Sequence, residues 1–511
     1  MTSNIDIEWI RQNTSLNIDS NNSDPDMVID TDGSIYVTYY IGLEDDENRD
    51  IVVAKLDSSG NIVWINRDED HTQFNTDNAD ADPCIDISDN YVHVAFQIKD
   101  PNYEDLTIIK LMTLHKGNNG NNGGEVNWVT SERFYYVEDE GINYGTSELY
   151  INPKVKADSD GNTYLTYGSE YELIYGEETS TSNTYNIYLY KINNTGEREW
   201  YKKFASGQPN DESKKFETPF LDIDDDFIYL VYAVTTETEE TEETDYLELY
   251  KLSKDNGETT LSLNINETFL EGNGEISNPG IIINGDYIYL TFSTDGTVIG
   301  GESTGSSDLV VLKLNKSLEQ EWIAQDTQFN YLNQITNASI VFNDDGDLII
   351  GYTYFTQSFS SFLKFFKLSD EDGSFQWIEE NELLKSNSTQ NYGPISGKDE
   401  QGNIYIIYIT DGLVKEIDGD NSINNKSSDA GNFDMVLAKF TDKPSGDSNL
   451  KKYVIPSINF ETVSLSLLEE LGIDPESPNF NAQTATLIAR LGLTSSVAFN
   501  LIVGLQDNID L

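Results

Sequence analysis

Hydrophobic and polar residues alternate through residues 24–65 in a pattern that predicts four short β-strands. The stretch DPDMVIDTDGSIYVTYYIG opens this unit, and DIVVAKLDSSGNIVWI ends it after an acidic loop. Alternation with a period of two residues is typical of half-buried strands, and tyrosine, valine and isoleucine favour them. The Asp-Gly pair in DTDG (30–33) supplies the positive φ that a tight hairpin turn needs, and SSGNIVW (58–64) contains a second glycine turn.

The same order of features recurs seven times, at spacings of 56 to 70 residues. A proline opens each unit except one, which has Ala338; an aromatic residue and then a lysine follow. The prolines are Pro25, Pro83, Pro153, Pro219, Pro279 and Pro394. The aromatic residues are Tyr39, Phe96, Tyr167, Tyr232, Phe292, Tyr352 and Tyr408. The lysines are Lys55, Lys110, Lys191, Lys251, Lys313, Lys367 and Lys439. Repeated four-stranded sheets of this length are β-propeller blades, so we predict an all-β fold with seven blades starting near residues 24, 82, 152, 218, 278, 337 and 393.

The tryptophans predict how the ring closes. All six fall on the predicted fourth strand, and Leu261 takes this place in the remaining copy: Trp9, Trp64, Trp128, Trp200, Trp322 and Trp377. Trp9 precedes the first opening proline, whereas the seventh copy ends after Lys439 without a fourth strand. We therefore predict that the N-terminal strand 5–12 completes the last blade, which removes an exposed sheet edge, and that the propeller spans residues 1–442.

These units resemble the SBBP-type β-propeller repeat. The likeness lies in the pattern Asp-x-x-Gly-x-x-Tyr followed by a Lys-Leu-Asp-x-x-Gly-x-x-x-Trp hairpin, and DIVVAKLDSSGNIVW (50–64) matches it best. The tryptophan strand is also similar to the outer strand of quinoprotein-type propellers. The resemblance covers residues 5–442 and implies a fold, but it brings no catalytic motif and no quinone-binding set.

The pattern changes after residue 442. Residues 443–452 form a linker rich in turn formers, and residues 453–511 carry apolar residues at mostly helical spacing. We considered three roles for this helical segment: an appendage packed on the propeller, an assembly or attachment module, and an uncleaved export signal. The glycine-rich calcium nonapeptides that usually accompany such an export signal are absent from the sequence.

The charge of the chain limits its partners. Aspartate and glutamate number 90 against 31 lysines and arginines, a formal net charge of −59. Nucleic acids and anionic lipids require neutralisation by basic side chains, so we expect cations, basic proteins or neutral glycans as partners. The N-terminus lacks the apolar core of a cleavable signal peptide, and no stretch predicts a membrane span. An extracellular, surface or virion location is nevertheless favoured over a cytoplasmic one.

No catalytic residues are predicted. The three histidines lie apart in sequence, and His93 replaces a tyrosine of the repeat, which favours a structural role. The single cysteine, Cys84, lies in an apolar run and reads as a small buried hydrophobe. The repeat lysines are also interpreted as structural, with their stems packed between blades.

The acidic turns have two interpretations. Asp30 with Asp32, and Asp158 with Asp160, place hard oxygen ligands close together, as calcium requires. Hairpin turns account for the same residues, and no turn matches the EF-hand loop, so no cofactor is required by the sequence and calcium remains an alternative.

The loops that join second to third strands, and successive blades, should share one acidic face. Tyr171, Tyr175 and Tyr185 lie among carboxylates there, while Asp24 and Asp82, just before opening prolines, are expected near the central channel together with Asn152, Thr218 and Asn278. Our first hypothesis is a non-catalytic binding or structural propeller. It would recognise a protein or glycan partner through this face and attach to a cell surface, filament or virion by residues 453–511. The alternative is a hydrolase or lyase acting on polysaccharide, with paired carboxylates of raised pKa at the channel mouth.

Overall fold

A computed structural model of the chain shows a seven-bladed β-propeller with very little helix. The structure describes residues 4–12, 16–17, 22–42, 49–67, 80–100, 103–117, 123–129, 152–169, 186–205, 214–216, 218–238, 241–271, 274–304, 307–330, 335–355, 360–381, 384, 391–414, 416–417, 423–424 and 433–442. The chain divides into two units, Met1–Lys443 and Pro444–Leu511, and the described residues all belong to the first. The predicted linker 443–452 and helical segment 453–511 therefore lie outside them.

The first three blades each contain four antiparallel strands, numbered in chain order with the innermost strand first. They follow the N-terminal strand β1 (Ile5–Arg11). Blade 1 consists of β2 (Asn22–Ile29), β3 (Ile35–Ile41), β4 (Asp50–Leu56) and β5 (Ile62–Asn66). Blade 2 consists of β6 (Asp80–Ile87), β7 (Tyr91–Asp100), β8 (Tyr103–His115) and β9 (Val126–Val129). Blade 3 consists of β10 (Lys154–Ala157), β11 (Thr163–Ser169), β12 (Asn186–Ile192) and β13 (Arg198–Ala205).

Blades 4 and 5 flank a short helix. The inner strand of blade 4 is in two pieces, β14 (Lys214–Phe216) and β15 (Phe220–Ile223), followed by β16 (Phe227–Thr238), β17 (Thr241–Ser253) and β18 (Thr259–Asn264). Helix α1 (Ile265–Phe269) leads to β19 (Leu270–Glu271). Blade 5 consists of β20 (Ile276–Asn284), β21 (Tyr287–Thr294), β23 (Asp308–Asn315) and β24 (Gln320–Ala324), and its β22 (Thr297–Val298) pairs with β19.

Blades 6 and 7 complete the ring. Blade 6 consists of β25 (Ile335–Phe342), β26 (Leu348–Phe355), β27 (Ser361–Leu368) and β28 (Phe375–Glu379). Blade 7 consists of β29 (Asn391–Lys398), β30 (Ile404–Thr410) and β33 (Asp434–Asp442). The short strands β31 (Glu416–Ile417) and β32 (Ile423–Asn424) come between β30 and β33 in sequence, but in the sheet β31 pairs with β1 and β32 with β31. Strand β1 pairs antiparallel with β33 as the outer strand of blade 7, so the predicted closure by the N-terminal strand is confirmed.

Hydrophobic contacts between blades build the core. Seven hydrophobic clusters among the described residues each join two neighbouring blades, and the cluster between blades 7 and 1 contains Trp9 of β1. Each blade buries both sheet faces, so its central strands carry long apolar runs instead of strict alternation. The exposed polar residues concentrate in the turns and at the rims.

Five of the outer strands join their blade to the next through a repeated contact in the described part of the chain. The indole N–H of a tryptophan donates to a backbone carbonyl in the turn between the third and fourth strands of the following blade, at 2.9–3.4 Å. The ring also lies against a glycine of that turn: a Cβ on Gly60 would approach Trp9 to 3.1 Å, and one on Gly257 would approach Trp200 to 2.7 Å. Both glycines have positive φ, at 79° and 66°, where side chains other than glycine are strained.

Blade 4 departs from this contact at two matched positions. Leu261 replaces the tryptophan, and its side chain is 40% exposed. The turn carbonyl of Lys316 still accepts a hydrogen bond from Lys251 at 2.9 Å, as the matching carbonyls do from Lys55 and Lys313. In the turn of blade 5, Leu318 takes the place of the glycine with φ of 63° and packs in the hydrophobic cluster between blades 4 and 5. A leucine fits there because no indole ring occupies the space.

Sheet register corrects one repeat assignment. The repeat lysine pairs with the tryptophan position of its blade, as Lys55 does with Trp64 and Lys439 with Trp9. In blade 2 the residue opposite Trp128 is Thr113, whereas Lys110 lies three residues earlier, opposite Phe96. The sequence offers lysines on both sides of Thr113, and only the strand pairing decides which residue takes the position.

Candidate functional site

The innermost strands carry a bulge just before the opening proline. The pairing with the second strand shifts register there in blades 1, 2, 5, 6 and 7. At the bulge, Asp24, Asp82 and Asn278 adopt left-handed backbone conformations with φ of 45°, 47° and 52°, and Gly393 has φ of 61°. Strained positive φ at residues other than glycine costs about 1–3 kcal/mol and clusters at functional sites. These residues lie at the end of the inner strands that faces the loops between blades, which is the mouth of the central channel.

Asp24 and Asp82 form a coupled carboxylate pair on neighbouring blades. Part of the Asp24 residue is exposed to water. Its carboxyl group is nevertheless surrounded by protein atoms, and this burial, together with repulsion from Asp82, raises the pKa of Asp24 to about 6. Burial also raises the pKa of Asp82, which accepts a hydrogen bond from Gln97 Nε2. The positive charges of Lys154 and Arg49 act in the opposite direction on both carboxyl pKa values.

Tyr40 and Arg49 form the side of this cluster on blade 1. The guanidinium of Arg49 lies 5.2 Å from the ring centroid of Tyr40. The Tyr40 side chain hydrogen-bonds with Arg49 and with Asp24. Burial and the charge of Asp24 raise the pKa of Tyr40. The cluster thus combines two carboxylates, two cations, an amide and a phenol at one mouth of the channel. We call these residues, Asp24, Tyr40, Arg49, Asp82, Gln97 and Lys154, the mouth cluster.

The other predicted channel residues occupy corresponding positions on further blades. Asn152 Nδ2 donates to Thr218 Oγ1 at 2.8 Å, which joins blades 3 and 4 at this level. Asn278 is exposed and donates to the neighbouring Ser277 Oγ at 3.1 Å. The ring predicted from the residue before each proline is therefore built from uncharged amides and hydroxyls on one side and the carboxylate pair on the other.

A second charged group lies further along the channel and was missed by the sequence analysis. Lys156 Nζ lies 3.5 Å from the Asp222 carboxylate, and the charges of Asp86 and Asp26 also act on it. Asp222 raises the pKa of Lys156 more than any other residue, and burial raises the pKa of Asp86. The signal was the third position after the opening proline, where blades 2, 3 and 4 carry Asp86, Lys156 and Asp222.

The same carboxylates also join neighbouring inner strands. Asp26 accepts the backbone N–H of Ile85 at 2.9 Å, Asp86 that of Ala157 at 2.7 Å, and Asp222 that of Ile283 at 2.7 Å. Between blades 6 and 7 a hydroxyl is the acceptor instead, because Ser339 Oγ accepts the backbone N–H of Ser396 at 2.9 Å. The charged wall of blades 1–4 therefore contrasts with blades 5–7, where the corresponding channel positions are Gly280, Ile282, Ser339, Val341, Ile395 and Gly397.

The acidic turns considered as calcium sites form internal hydrogen bonds and ion pairs. Asp30 pairs with Lys116 at 2.8 Å, and Asp32 accepts the N–H of Ser34. Asp158 accepts hydrogen bonds from Asn162 and Tyr164, while Asp160 is exposed at the tip of its turn. Within the described residues, no group of three or more His, Cys, Asp or Glu side chains could hold a metal ion. Calcium binding at these turns remains a prediction.

The repeat lysines contact carboxylates or carbonyls either of the next blade or of their own. Lys313 pairs with Asp370 at 2.7 Å and Lys367 with Asp442 at 2.8 Å, both in the next blade. Lys191 pairs with Glu199 at 2.9 Å and Lys439 with Glu8 at 2.8 Å, both on the outer strand of their own blade. These ion pairs stabilise the blades, and they lie away from the mouth cluster.

The remaining predicted residues divide into two groups. His93 is fully buried and hydrogen-bonds through both ring nitrogens, to Ser88 and Thr163, and burial lowers its pKa to about 3. Cys84 is buried, and burial raises its pKa. Tyr171, Tyr175 and Tyr185 lie outside the described residues. No helix in the described part of the chain is long and apolar enough to cross a membrane.

Comparison with known proteins finds solved structures of low similarity only. No protein-family model and no curated protein sequence matches the chain, so the SBBP-type repeat remains a prediction. Solved structures similar to the chain include a protein of unknown function from Dyadobacter fermentans, at 9% identity and a TM-score of 0.42, covering 86% of this chain and 100% of that one. A polysaccharide lyase described as a PL25 ulvan lyase is similar at 10% identity and a TM-score of 0.44, covering 76% and 92%. An endo-arabinase from Bacteroides thetaiotaomicron is similar at 14% identity and a TM-score of 0.31, covering 56% and 97%. Likeness at this level carries no argument about ligand or activity.

Proposed function

We propose that this protein is a non-catalytic recognition propeller whose ligand binds at the mouth cluster. The observation that carries the proposal is the placement of Asp24 and Asp82 on matching strained bulges of adjacent blades, within electrostatic reach of each other and of Lys154 and Arg49. Strain of this kind persists where the surrounding structure holds it, and a rigid scaffold positioning varied residues is a common basis of recognition.

A neutral glycan is the ligand class that fits these groups best. Its hydroxyls donate to carboxylates and accept from ammonium, guanidinium and amide groups, and the mouth cluster offers all of them. The buried phenol of Tyr40 hydrogen-bonds with Asp24 and so helps to orient this carboxyl toward a ligand. An anionic polymer would meet the repulsion of a chain with a net charge of −59.

Binding measurements on a panel of neutral and acidic oligosaccharides test this proposal. We expect a neutral oligosaccharide to bind the wild type, and the double variant Asp24→Asn, Asp82→Asn to weaken it at least about tenfold, since hydrogen bonds to charged groups contribute about 1.5–3 kcal/mol. Asp225→Asn is the matched control, because Asp225 is an exposed carboxylate on a turn between first and second strands. Equal losses in the double variant and the control would contradict the proposal.

A second candidate function uses the same residues for acid–base chemistry on a polysaccharide. The observation that favours it is the pKa of about 6 at Asp24 beside a second carboxyl, Asp82, because a catalytic acid works best with a pKa near the operating pH. A hydrolase would release reducing ends, and a lyase would release a product with a new double bond that absorbs ultraviolet light. Turnover that is lost in Asp24→Asn and retained in Asp225→Asn would favour this candidate over recognition alone.

The proposal includes attachment through residues 453–511. Their apolar residues at helical spacing support an assembly role at a cell surface, filament or virion. Light scattering on the full chain and on a chain ending at residue 443 tests this part. We expect the full chain to form particles with more subunits than the truncated chain. The same number of subunits in both would contradict attachment by self-assembly and leave the mouth cluster unaffected.

A further inference from the structure

The hydroxyl of Tyr36 lies buried between blades 1 and 2 without a hydrogen-bond partner among the described residues. Its side chain is 0% exposed, and it sits on β3 opposite the repeat lysine Lys55. A buried polar group without a partner costs about 1–3 kcal/mol, so nearly all such groups in native proteins are satisfied by protein, water or a ligand. The Tyr36 hydroxyl is therefore a candidate contact for a bound water or ligand.

Tyrosines at the corresponding position of other blades are satisfied. Tyr164, Tyr229 and Tyr405 each donate to the first aspartate of the turn in their own blade, Asp158, Asp224 and Asp399, at 2.9–3.0 Å. Tyr289 donates to Asp370 of the next blade. In blade 1 the equivalent aspartate, Asp30, uses its carboxylate for Lys116 at 2.8 Å and for the N–H of Thr31 at 2.9 Å.

Two buried lysines surround the Tyr36 ring. Lys55 is 6% exposed and Lys116 is 4% exposed, and their Nζ atoms lie 5.1 and 5.8 Å from the ring centroid of Tyr36. Among the described residues, Lys55 has one acceptor, the carbonyl of Lys116 at 3.3 Å, and Lys116 has one, Asp30. Each ammonium carries three N–H donors, so the buried donors outnumber the acceptors.

Close ion pairing is incomplete as well as hydrogen bonding. Asp30 is the one carboxylate within 4.0 Å of either lysine in the described part of the chain, whereas Asp32 is exposed to water and its charge acts on both lysines from farther away. Lys313, Lys367 and Lys439, by contrast, each have a carboxylate partner of their own at 2.7–2.8 Å. A buried charge left without a counter-charge is strongly destabilising. The missing partner should therefore be an acceptor that carries negative charge.

We propose that a monovalent anion, for which chloride is the natural probe, binds between blades 1 and 2 in contact with Tyr36 Oη, Lys55 Nζ and Lys116 Nζ. The anion would satisfy the orphan hydroxyl and balance the second ammonium in one step. This site is independent of the mouth cluster and does not rest on the function proposed for it.

Two measurements on the full chain test the site. The first is the chloride NMR linewidth, which broadens when chloride exchanges with a protein site. We expect excess broadening with the wild type and its loss in Tyr36→Phe and in Lys55→Met. The second is a crystal grown or soaked in bromide, where we expect anomalous scattering from bromide beside Tyr36 Oη.

The junction between blades 4 and 5 supplies the matched control. Lys251 and Lys316 also share one aspartate there, but the hydroxyl of Tyr229 is satisfied by Asp224 at 2.9 Å. Tyr229→Phe should therefore keep the chloride broadening. A water molecule in place of bromide, or broadening that is equal in Tyr36→Phe, Lys55→Met and the wild type, would overturn the proposal. If Lys55→Met does not fold, Tyr36→Phe and the bromide crystal still decide the outcome.

Discussion

The perimeter of this propeller is formed by the outer strands of the blades, and the channel wall by the inner strands. Both come from the same repeated unit, but the residue types vary much more from blade to blade on the wall than on the perimeter. On the perimeter, tryptophans of the outer strand donate to the next turn in the same way from Trp9 to Trp322. On the channel wall, the residue after the opening position differs in every blade: Asp26, Cys84, Lys154, Phe220, Gly280, Ser339 and Ile395. The perimeter repeats one residue type and one contact, whereas the wall carries a different residue at this position in each blade.

This difference separates positions that stabilise the contacts between blades from positions that can carry polar or charged side chains. A perimeter residue has a fixed partner in the next blade, so a change on one side needs a change on the other, as Leu261 and Leu318 show. The wall needs only an acceptor for the next inner strand, and aspartate or serine can supply it. Charges could therefore accumulate in blades 1–4 without loss of the fold.

The largest effect is expected where the perimeter closes the ring. Trp9 is 2% exposed, packs between blades 7 and 1, and donates to Ser58 at 3.2 Å. Trp9→Ala should lower the free energy of unfolding by about 3–5 kcal/mol, the usual range for a buried tryptophan. Urea unfolding measures the change, and Leu261→Ala at the exposed equivalent position should cost less than about 1 kcal/mol. Similar losses of unfolding free energy in Trp9→Ala and Leu261→Ala would show that the buried tryptophan and the exposed leucine contribute equally.

The turn glycines should show the next largest effect. Gly60→Ala places a Cβ at 3.1 Å from the Trp9 ring and at a φ of 79°. Gly346→Ala meets the same backbone strain, with a φ of 86°, but no atom within 4 Å. We expect Gly346→Ala to cost about 1–2 kcal/mol from the left-handed backbone alone. Gly60→Ala should cost about 1 kcal/mol more because of crowding. Thermal or urea unfolding of the pair would show whether the indole contact adds to the strain.

On the channel wall, Asp24 should give a smaller effect that depends on pH. Its pKa is raised from 3.8 to about 6 in the folded protein, so the folded state holds the proton more tightly than the unfolded chain. The resulting stabilisation is present below the unfolded pKa and is lost as pH rises through about 6. Relative to the wild type, Asp24→Asn should therefore become more stable as pH rises through this window.

Urea midpoints measured across the window check this prediction, and Asp225→Asn is the control. The shift should be modest because the Asp24 side chain is exposed to water. A difference between wild type and Asp24→Asn that stays constant with pH would show that the wall carboxylates do not interact as described.

The perimeter was largely predictable from sequence, because each blade repeats the same residue types for the same contact. Trp9 before the first proline was enough to predict closure by β1. Lys110 was placed wrongly because lysines flank Thr113 on both sides, and the pairing of β7 with β8 decides the register.

The channel wall was predictable only in part. The position before each proline identified Asp24 and Asp82, but not their partners Gln97, Lys154 and Arg49, which come from blade 2, blade 3 and the loop before β4. The group around Lys156 was missed for the same reason, since its members lie on four different blades. Their proximity depends on ring geometry, and no local spacing in the sequence encodes it.

The smallest effect is expected at the exception in blade 4, where the perimeter rule can be tested by restoring it. Leu261→Trp alone should gain little, because Leu318 fills the space that the indole ring would take. Leu318→Gly alone loses buried surface but relieves a φ of 63°, so the two terms nearly cancel. The double variant should be more stable than the sum of the single changes by about 1 kcal/mol, the coupling expected for residues in contact. Because an indole and a turn glycine stabilise the ring only together, strictly additive single changes in a urea double-mutant cycle would mean that the two positions vary independently.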